Sequence, residues 1–169
     1  TAAEHAGHEV FCFDAIRHKD PSSVLGSVVD TSRPEIILMS IRNIDSAAFP
    51  MPERYFEDHK PLVELLRKKT SAPIVLGGSG FSLMPELFMD YLKADIGIVG
   101  DGEITTLEVL NALEEGKKTE PIVFSPPVSA PFLSADRDKF DADWYYQNGG
   151  VANIQTKRGC PLKCIYCTY

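Results

Sequence analysis

The sequence predicts an α/β protein with a doubly wound parallel sheet, and three observations carry that prediction. Short apolar runs recur at Glu35-Ile-Ile-Leu-Met-Ser40, Ala72-Pro-Ile-Val-Leu76 and Asp95-Ile-Gly-Ile-Val99. Near-continuous apolar strands of this kind are buried on both faces, as in parallel sheets. The last two runs end in glycine-rich turns, Gly77-Gly-Ser-Gly80 and Gly100-Asp-Gly-Glu103. Stretches of helical period separate the runs at intervals of 20–30 residues, the spacing of strand–helix–strand units.

In chain order, residues 1–6 read as the tail of a helix with Gly7 as its C-terminal cap. His8-Glu-Val-Phe-Cys-Phe13 is a short β-type run. A helix over 21–31 puts Val24, Leu25, Val28 and Val29 on its apolar side, and Pro34 opens the strand that ends at Ser40. A loop with Pro50 and Pro52 leads to a helix over 57–69. This helix turns Leu62, Val63, Leu65 and Leu66 inward and carries Lys and Arg at its C-terminal end, where the helix dipole favours them. The strand at 72–76 is followed by a helix over 83–93, with Ser82 as its N-cap and Pro85 in its first turn. The strand at 95–99 leads to a helix over 104–115 presenting Leu107, Val109, Leu110 and Leu113, with Gly116 as its stop. Residues 117–148, with Pro121, Pro126, Pro127 and Pro131 and an acidic-aromatic stretch, read as a linker rather than a core element. Gly149-Gly150 then launches a strand over 151–156 that delivers Lys157-Arg-Gly-Cys160.

Length and charge narrow the function classes. The 169 residues hold one domain of about 100–150 residues plus a further segment. A net charge of −7 argues against nucleic acid as the default partner, since phosphate binding wants a basic surface. No apolar run approaches the roughly 18 residues of a membrane span. Of the four cysteines, Cys160, Cys164 and Cys167 crowd into eight residues and Cys12 stands alone. That is no disulfide framework, and it fits a reducing, cytoplasmic compartment. There is no initiator Met and no signal peptide, and both ends read as cut from something longer.

Ligands of open α/β sheets bind at the carboxyl ends of the strands. Three loops fall there: Ser40-Ile-Arg-Asn-Ile-Asp45, Gly77–Gly80 and Gly100–Glu103. Glycines allow a ligand to approach the backbone closely, yet any doubly wound sheet places glycine at strand-to-helix turns, and the glycines alone do not separate these readings. The Gly77 loop lacks the G-x-G-x-x-G spacing of a nicotinamide-binding turn, because position 82 is Ser and 83 is Leu. Arg42, just beyond a buried strand, either meets a ligand or closes the turn through a salt bridge to Asp45.

The triplet Cys160-Pro-Leu-Lys-Cys164-Ile-Tyr-Cys167 carries the sharpest chemistry. Soft thiolates hold iron–sulfur clusters, and three of them leave one iron of a cubane open for another ligand. A zinc site wants four ligands, and the nearest remaining Cys or His is the distant His59. The C-x3-C-x2-C spacing, with Tyr166 just before the last Cys, resembles the signature of the radical S-adenosylmethionine (SAM) superfamily. The resemblance implies a 4Fe-4S cluster on Cys160, Cys164 and Cys167, with Tyr166 beside it. It also implies SAM on the open iron, reductive cleavage of SAM to a 5′-deoxyadenosyl radical, and an electron donor such as flavodoxin or ferredoxin. In that family the motif follows the first strand of a (β/α) barrel, as Cys160 follows 151–156 here.

The upstream order of strand, Gly77–Gly80, helix, strand, Gly100–Glu103 and helix resembles the Rossmann- or flavodoxin-like cobalamin-binding domain that precedes the barrel in one radical SAM class. The resemblance spans about residue 8 to 169. It divides the chain into a cobalamin-binding-like domain at 1–116, a linker at 117–148 and the start of a truncated barrel at 149–169. It implies cobalamin contacts from Ser40, Arg42 and Asn43, from Gly77, Gly78, Ser79 and Gly80, and from Gly100, Gly102 and Glu103. The helix starts after Ser82 and Glu103 are expected to offer N–H groups to the nucleotide tail. The Asp-x-His-x-x-Gly motif that ligates cobalt in some cobalamin proteins is absent, so the lower face of the corrin is expected to meet Arg42-Asn-Ile-Asp45 instead. The family's first strand would precede Thr1. Without it the sheet is expected to have an interior gap between 8–13 and 35–40, which missing residues, a partner chain or a rearrangement must fill.

The function these features imply is that of a fragment of a cobalamin-dependent radical SAM enzyme. Its reaction is methyl transfer or a related radical rearrangement on a substrate the sequence does not name. The fragment alone is expected to be inactive. The alternative is a cobalamin-binding carrier or sensor without catalysis of its own.

Overall fold

The computed structural model describes residues 2–127, 136, 139–149, 158, 160 and 162–165. The chain divides into two compact units, 1–133 and 134–169. The first contains four strands, β1 (Ile37–Ser40), β2 (Ile74–Gly77), β3 (Ile96–Val99) and β4 (Ile122–Phe124). All pair in parallel in the order β1-β2-β3-β4. Its helices are α1 (Ala2–His5), α2 (Pro21–Ser32), α3 (His59–Lys69), α4 (Ser79–Leu83), α5 (Pro85–Leu92) and α6 (Gly102–Glu114).

Period-two alternation along buried strands builds a core on each face. Ile74 and Leu76 of β2 point to a layer made with Leu25 and Val29 of α2, Val63 and Leu66 of α3, Phe81 of α4, and Phe88 and Leu92 of α5. Val75, Ile96 and Ile98 point the other way, onto Val109 of α6. Helices on both faces of a parallel sheet make the arrangement doubly wound.

The local signals are legible in the helices. Asp20 caps α2, its carboxylate accepting the Ser23 N–H at 3.1 Å, and Pro21 fills the first helical position. Gly7, at φ +98°, ends α1 in the left-handed region, with its N–H on the Glu4 carbonyl. Asp95 ties three segments at the amino edge of the sheet. Its carboxylate accepts the Ile74 N–H and an Arg67 guanidinium N–H, both at 2.7 Å, and Arg67 also donates to the Lys93 carbonyl.

Three expectations are corrected. The β-type run at 8–13 is not a strand: among the described residues β1 pairs on one side only, with β2, and no described strand stands between 8–13 and 35–40 to pair with either. A strand exists only where a neighbour takes its N–H and C=O groups, and β-propensity alone supplies none. The segment is anchored by side chains instead, with Phe13 against the core and stacked on His18 at 5.3 Å. The stretch read as linker contains β4, because Gly97 N–H bonds to the Pro121 carbonyl and Ser125 N–H to Val99. Finally, Ser82 is not a cap. It lies within α4, and the next helix starts at Pro85 after Met84.

In the second unit, Asp141 opens α7 (Ala142–Gly149), accepting the Trp144 N–H at 2.9 Å. The strand expected over 151–156 lies outside the described residues. Among the described residues no helix is long and apolar enough to cross a membrane.

Two substitutions test this packing. A Cβ on Gly97 would stand 2.3 Å from the Phe81 ring, which is fully buried. Gly97→Ala should cost about 1–3 kcal/mol by overpacking, read from chemical denaturation of the full-length protein. Asp95→Ala should cost about 1.5–3 kcal/mol through its charged bond to the β2 backbone, with Asp95→Asn retaining part of it.

Candidate cofactor site at the carboxyl edge of the sheet

The loops after β1, β2 and β3 meet at the carboxyl edge, and backbone bonds hold them together. Ile41 is fully buried and at the centre. Its N–H donates to the Gly77 carbonyl at 2.8 Å, and its own carbonyl accepts the N–H groups of Gly80 and Phe81 at 2.9 and 3.2 Å. The Ser79 hydroxyl donates to the Arg42 carbonyl at 3.1 Å. The Ser82 hydroxyl donates to the Gly78 carbonyl and accepts the Gly100 N–H, both at 3.0 Å.

This contact explains two glycines without reference to a ligand. A Cβ on Gly78 would lie 2.6 Å from the Ile41 carbonyl oxygen, and one on Gly80 would lie 2.9 Å from that of Arg42. Gly78 and Gly100 also adopt φ of +99° and +93°, which side chains disfavour. Gly77 and Gly102 are less constrained, with ordinary contact at 3.7 Å and a tight one at 3.3 Å.

The structure thus brings together Ser40, Arg42, Gly77, Gly78, Ser79, Gly80 and Gly100. Asn43, Gly102 and Glu103 share the same edge by position, since α6 starts at Gly102 rather than 104. The Arg42–Asp45 salt bridge does not form. Asp45 accepts the Ala47 N–H at 2.8 Å, and Arg42 is exposed. The histidines have ordinary surroundings: His59 lies 3.0 Å from the Tyr55 carbonyl and His8 lies 3.3 Å from Glu114.

Sequence reasoning missed what surrounds these loops. Residues 46–53 form a small closed loop: Ser46 N–H donates to the Glu53 carbonyl at 3.0 Å, and Glu53 N–H donates to the Ser46 hydroxyl at 2.9 Å. Its tip exposes Phe49 at 96% and Met51 at 83%. Ile104 in the first turn of α6 and Phe124 at the end of β4 are exposed at the same edge. No residue-by-residue signal marks these apolar groups, because only the topology gathers them. Two buried hydroxyls there, Thr105 Oγ1 and Ser125 Oγ, have no partner among the described residues. Buried polar groups are ordinarily bonded. A cleft of about 360 Å³ lined by Thr105, Val109, Ile122 and Phe124 opens beside β4.

A flat, largely apolar ligand with a polar tail needs exposed apolar surface, nearby backbone polar groups and few intervening side chains. The edge has all three, and the residues present fit a corrin with its nucleotide tail. For a cluster, the described part of the motif contains an exposed Cys160 and a half-buried Cys164, both free thiols. Cys167 and Tyr166 lie outside the described residues, and no metal-ligating group is assembled among the described ones.

The comparisons agree with the parallel sheet. The tryptophan 2-C-methyltransferase of Streptomyces laurentii is 26% identical over 99% of this chain and 39% of its own length. The radical S-adenosylmethionine methyltransferase TsrM from Kitasatospora setae was solved with tryptophan and the SAM analogue aza-SAM. It superposes with a TM-score of 0.65 and 32% identity, over 70% of this chain and 22% of that one. A second TsrM structure, with cobalamin and a 4Fe-4S cluster bound, matches equally well over 21% of that chain. The chain therefore spans well under half the length of these relatives. The model of the B12 binding domain matches residues 1–110, most of the first unit, and the chain belongs to the B12-binding-domain family.

Proposed function

We propose that this chain is the cobalamin-binding portion, with the cluster loop, of a cobalamin-dependent radical SAM methyltransferase. One observation carries the reading. A B12-binding domain at 1–110 is followed in the same chain by Cys160-x3-Cys164-x2-Cys167. Either feature alone leaves other functions open; their order along one chain matches that of a class that uses both cofactors.

In this reading the carboxyl edge receives cobalamin. Arg42 and Asn43 face the corrin from below, and Arg42 has an exposed side chain for that contact. Ser40, the Gly77–Gly80 loop and the Gly100–Glu103 loop supply backbone N–H and C=O groups. Exposed Phe49 and Met51 cover apolar corrin edge and keep water from it. Cys160, Cys164 and Cys167 are the thiolate ligands of the 4Fe-4S cluster, with Tyr166 beside the bound SAM. Bound cobalamin supplies a transferable methyl group, and the cluster with SAM supplies one-electron chemistry. The reaction implied is methyl transfer to an unactivated carbon or phosphorus of a substrate that these residues do not name. Residues 117–148 join the two cofactor regions, and an electron donor of the flavodoxin or ferredoxin type serves the cluster.

Anaerobic reconstitution of the full-length protein with iron and sulfide should give a cluster absorption band. That band should vanish in the variant with Cys160, Cys164 and Cys167 all changed to Ala, while cobalamin binding persists. A band that survives the triple substitution overturns the cluster assignment. Cobalamin binding without any SAM cleavage in the reconstituted wild type would favour a carrier or sensor. Arg42→Ala should weaken hydroxocobalamin binding about 3- to 10-fold in a titration followed by visible absorbance.

A further inference from the structure

We infer that Ser82 is a positioning residue for the cobalamin tail, acting through the two glycine loops; this rests on the cobalamin reading above. Gly78 and Gly100 lie in different loops, one after β2 and one after β3, and both hold positive φ. Glycine at such φ has the widest conformational choice of any residue, so intrinsic backbone preference does not hold either loop in place. The Gly78 loop is fixed by the Ile41 carbonyl, which accepts the Gly80 and Phe81 N–H groups, and the Gly78 carbonyl also accepts the Ser82 N–H at 3.0 Å. The Ser82 hydroxyl ties the Gly100 loop to it. It donates to the Gly78 carbonyl at 3.0 Å and accepts the Gly100 N–H at 3.0 Å, so one oxygen atom spans the separation between the loops.

The anchor itself is rigid. Ser82 lies in α4 next to Phe81, which is fully buried against Phe88 and beneath Gly97. The Ser82 proton is committed to Gly78 and a lone pair to Gly100, so Ser82 acts through the loops rather than as a ligand contact of its own. Its effect should fall on the part of the ligand that the two loops hold together. A corrin ring is broad and reaches beyond them to the Arg42 loop and the Phe49 tip. The narrow nucleotide tail depends on the spacing between these two glycines. Ser82 therefore governs recognition of the tail more than of the ring.

The test compares two ligands that differ in the tail. Hydroxocobalamin and cobinamide, which lacks the nucleotide, are titrated into full-length wild type, Ser82→Ala and Ser82→Thr and followed by visible absorbance. Ser82→Ala should lose about 5- to 10-fold in affinity for hydroxocobalamin, the scale of one or two hydrogen bonds, and keep its cobinamide affinity within about twofold. Ser82→Thr, which retains the hydroxyl, should recover most of the loss. If Ser82→Ala does not fold by circular dichroism, Ser82→Cys takes its place, being near-isosteric and a poor hydrogen-bonding group, with the same ligand selectivity expected. Equal losses for both ligands, unchanged hydroxocobalamin affinity, or failure of Thr to recover it would each overturn the role of Ser82. Wild type that binds neither ligand overturns the cobalamin reading as well.

Discussion

The backbone of Ile41 meets the backbones of Gly78 and Gly80 with no room for a side chain between them. Ile41 extends β1 by one further bond to the Gly77 carbonyl, and its own carbonyl then receives the first N–H groups of α4. A buried carbonyl that accepts two N–H groups uses its full hydrogen-bonding capacity, so this junction leaves nothing to water. From it follow the direction of α4, the burial of Phe81, and the demand for glycine at position 97 where Phe81 lands. The carboxyl edge is held by its own backbone, and the ligand-facing surface is what remains outside that contact.

Glycine consequently has two meanings in this domain. Gly78 and Gly80 are needed so that two loops can touch, and Gly97 so that a phenyl ring can cross the sheet face. Gly77 and Gly102 are under weaker steric demand from the protein itself. A glycine-rich loop at a strand end is thus no direct sign of a ligand. The signs are the features left unexplained by folding: exposed Phe49 and Met51 on a closed loop, exposed Arg42, and the buried hydroxyls of Thr105 and Ser125, which have no partner among the described residues. Exposed apolar surface gathered at one edge has a cost in water that a bound ligand relieves.

The family assignment and the geometry bear on different parts of the chain. The first unit belongs to the B12-binding-domain family and has the parallel sheet on which such an edge is built. The cysteine triplet stands in the second unit. Its chemistry is carried by ligand type and spacing, since soft thiolates at tight intervals suit an iron–sulfur cluster.

Much was determined by sequence alone. The apolar runs ending at Ser40, Leu76 and Val99 are strands because near-continuous apolar stretches must be buried on both faces. Asp20-Pro21 and Gly7 mark helix ends through local bonds that need no distant partner. The cysteine spacing is equally local. The tertiary structure decided what depends on a neighbour. His8–Phe13 has the composition of a strand but pairs with no described strand, while Ile122–Phe124, among prolines, is a strand because β3 pairs with it. Ser82 has the sequence position of a helix cap and instead bridges two loops. Strand pairing and loop contact are long-range facts, set by which backbone groups lie opposite each other, and residue type constrains them only weakly.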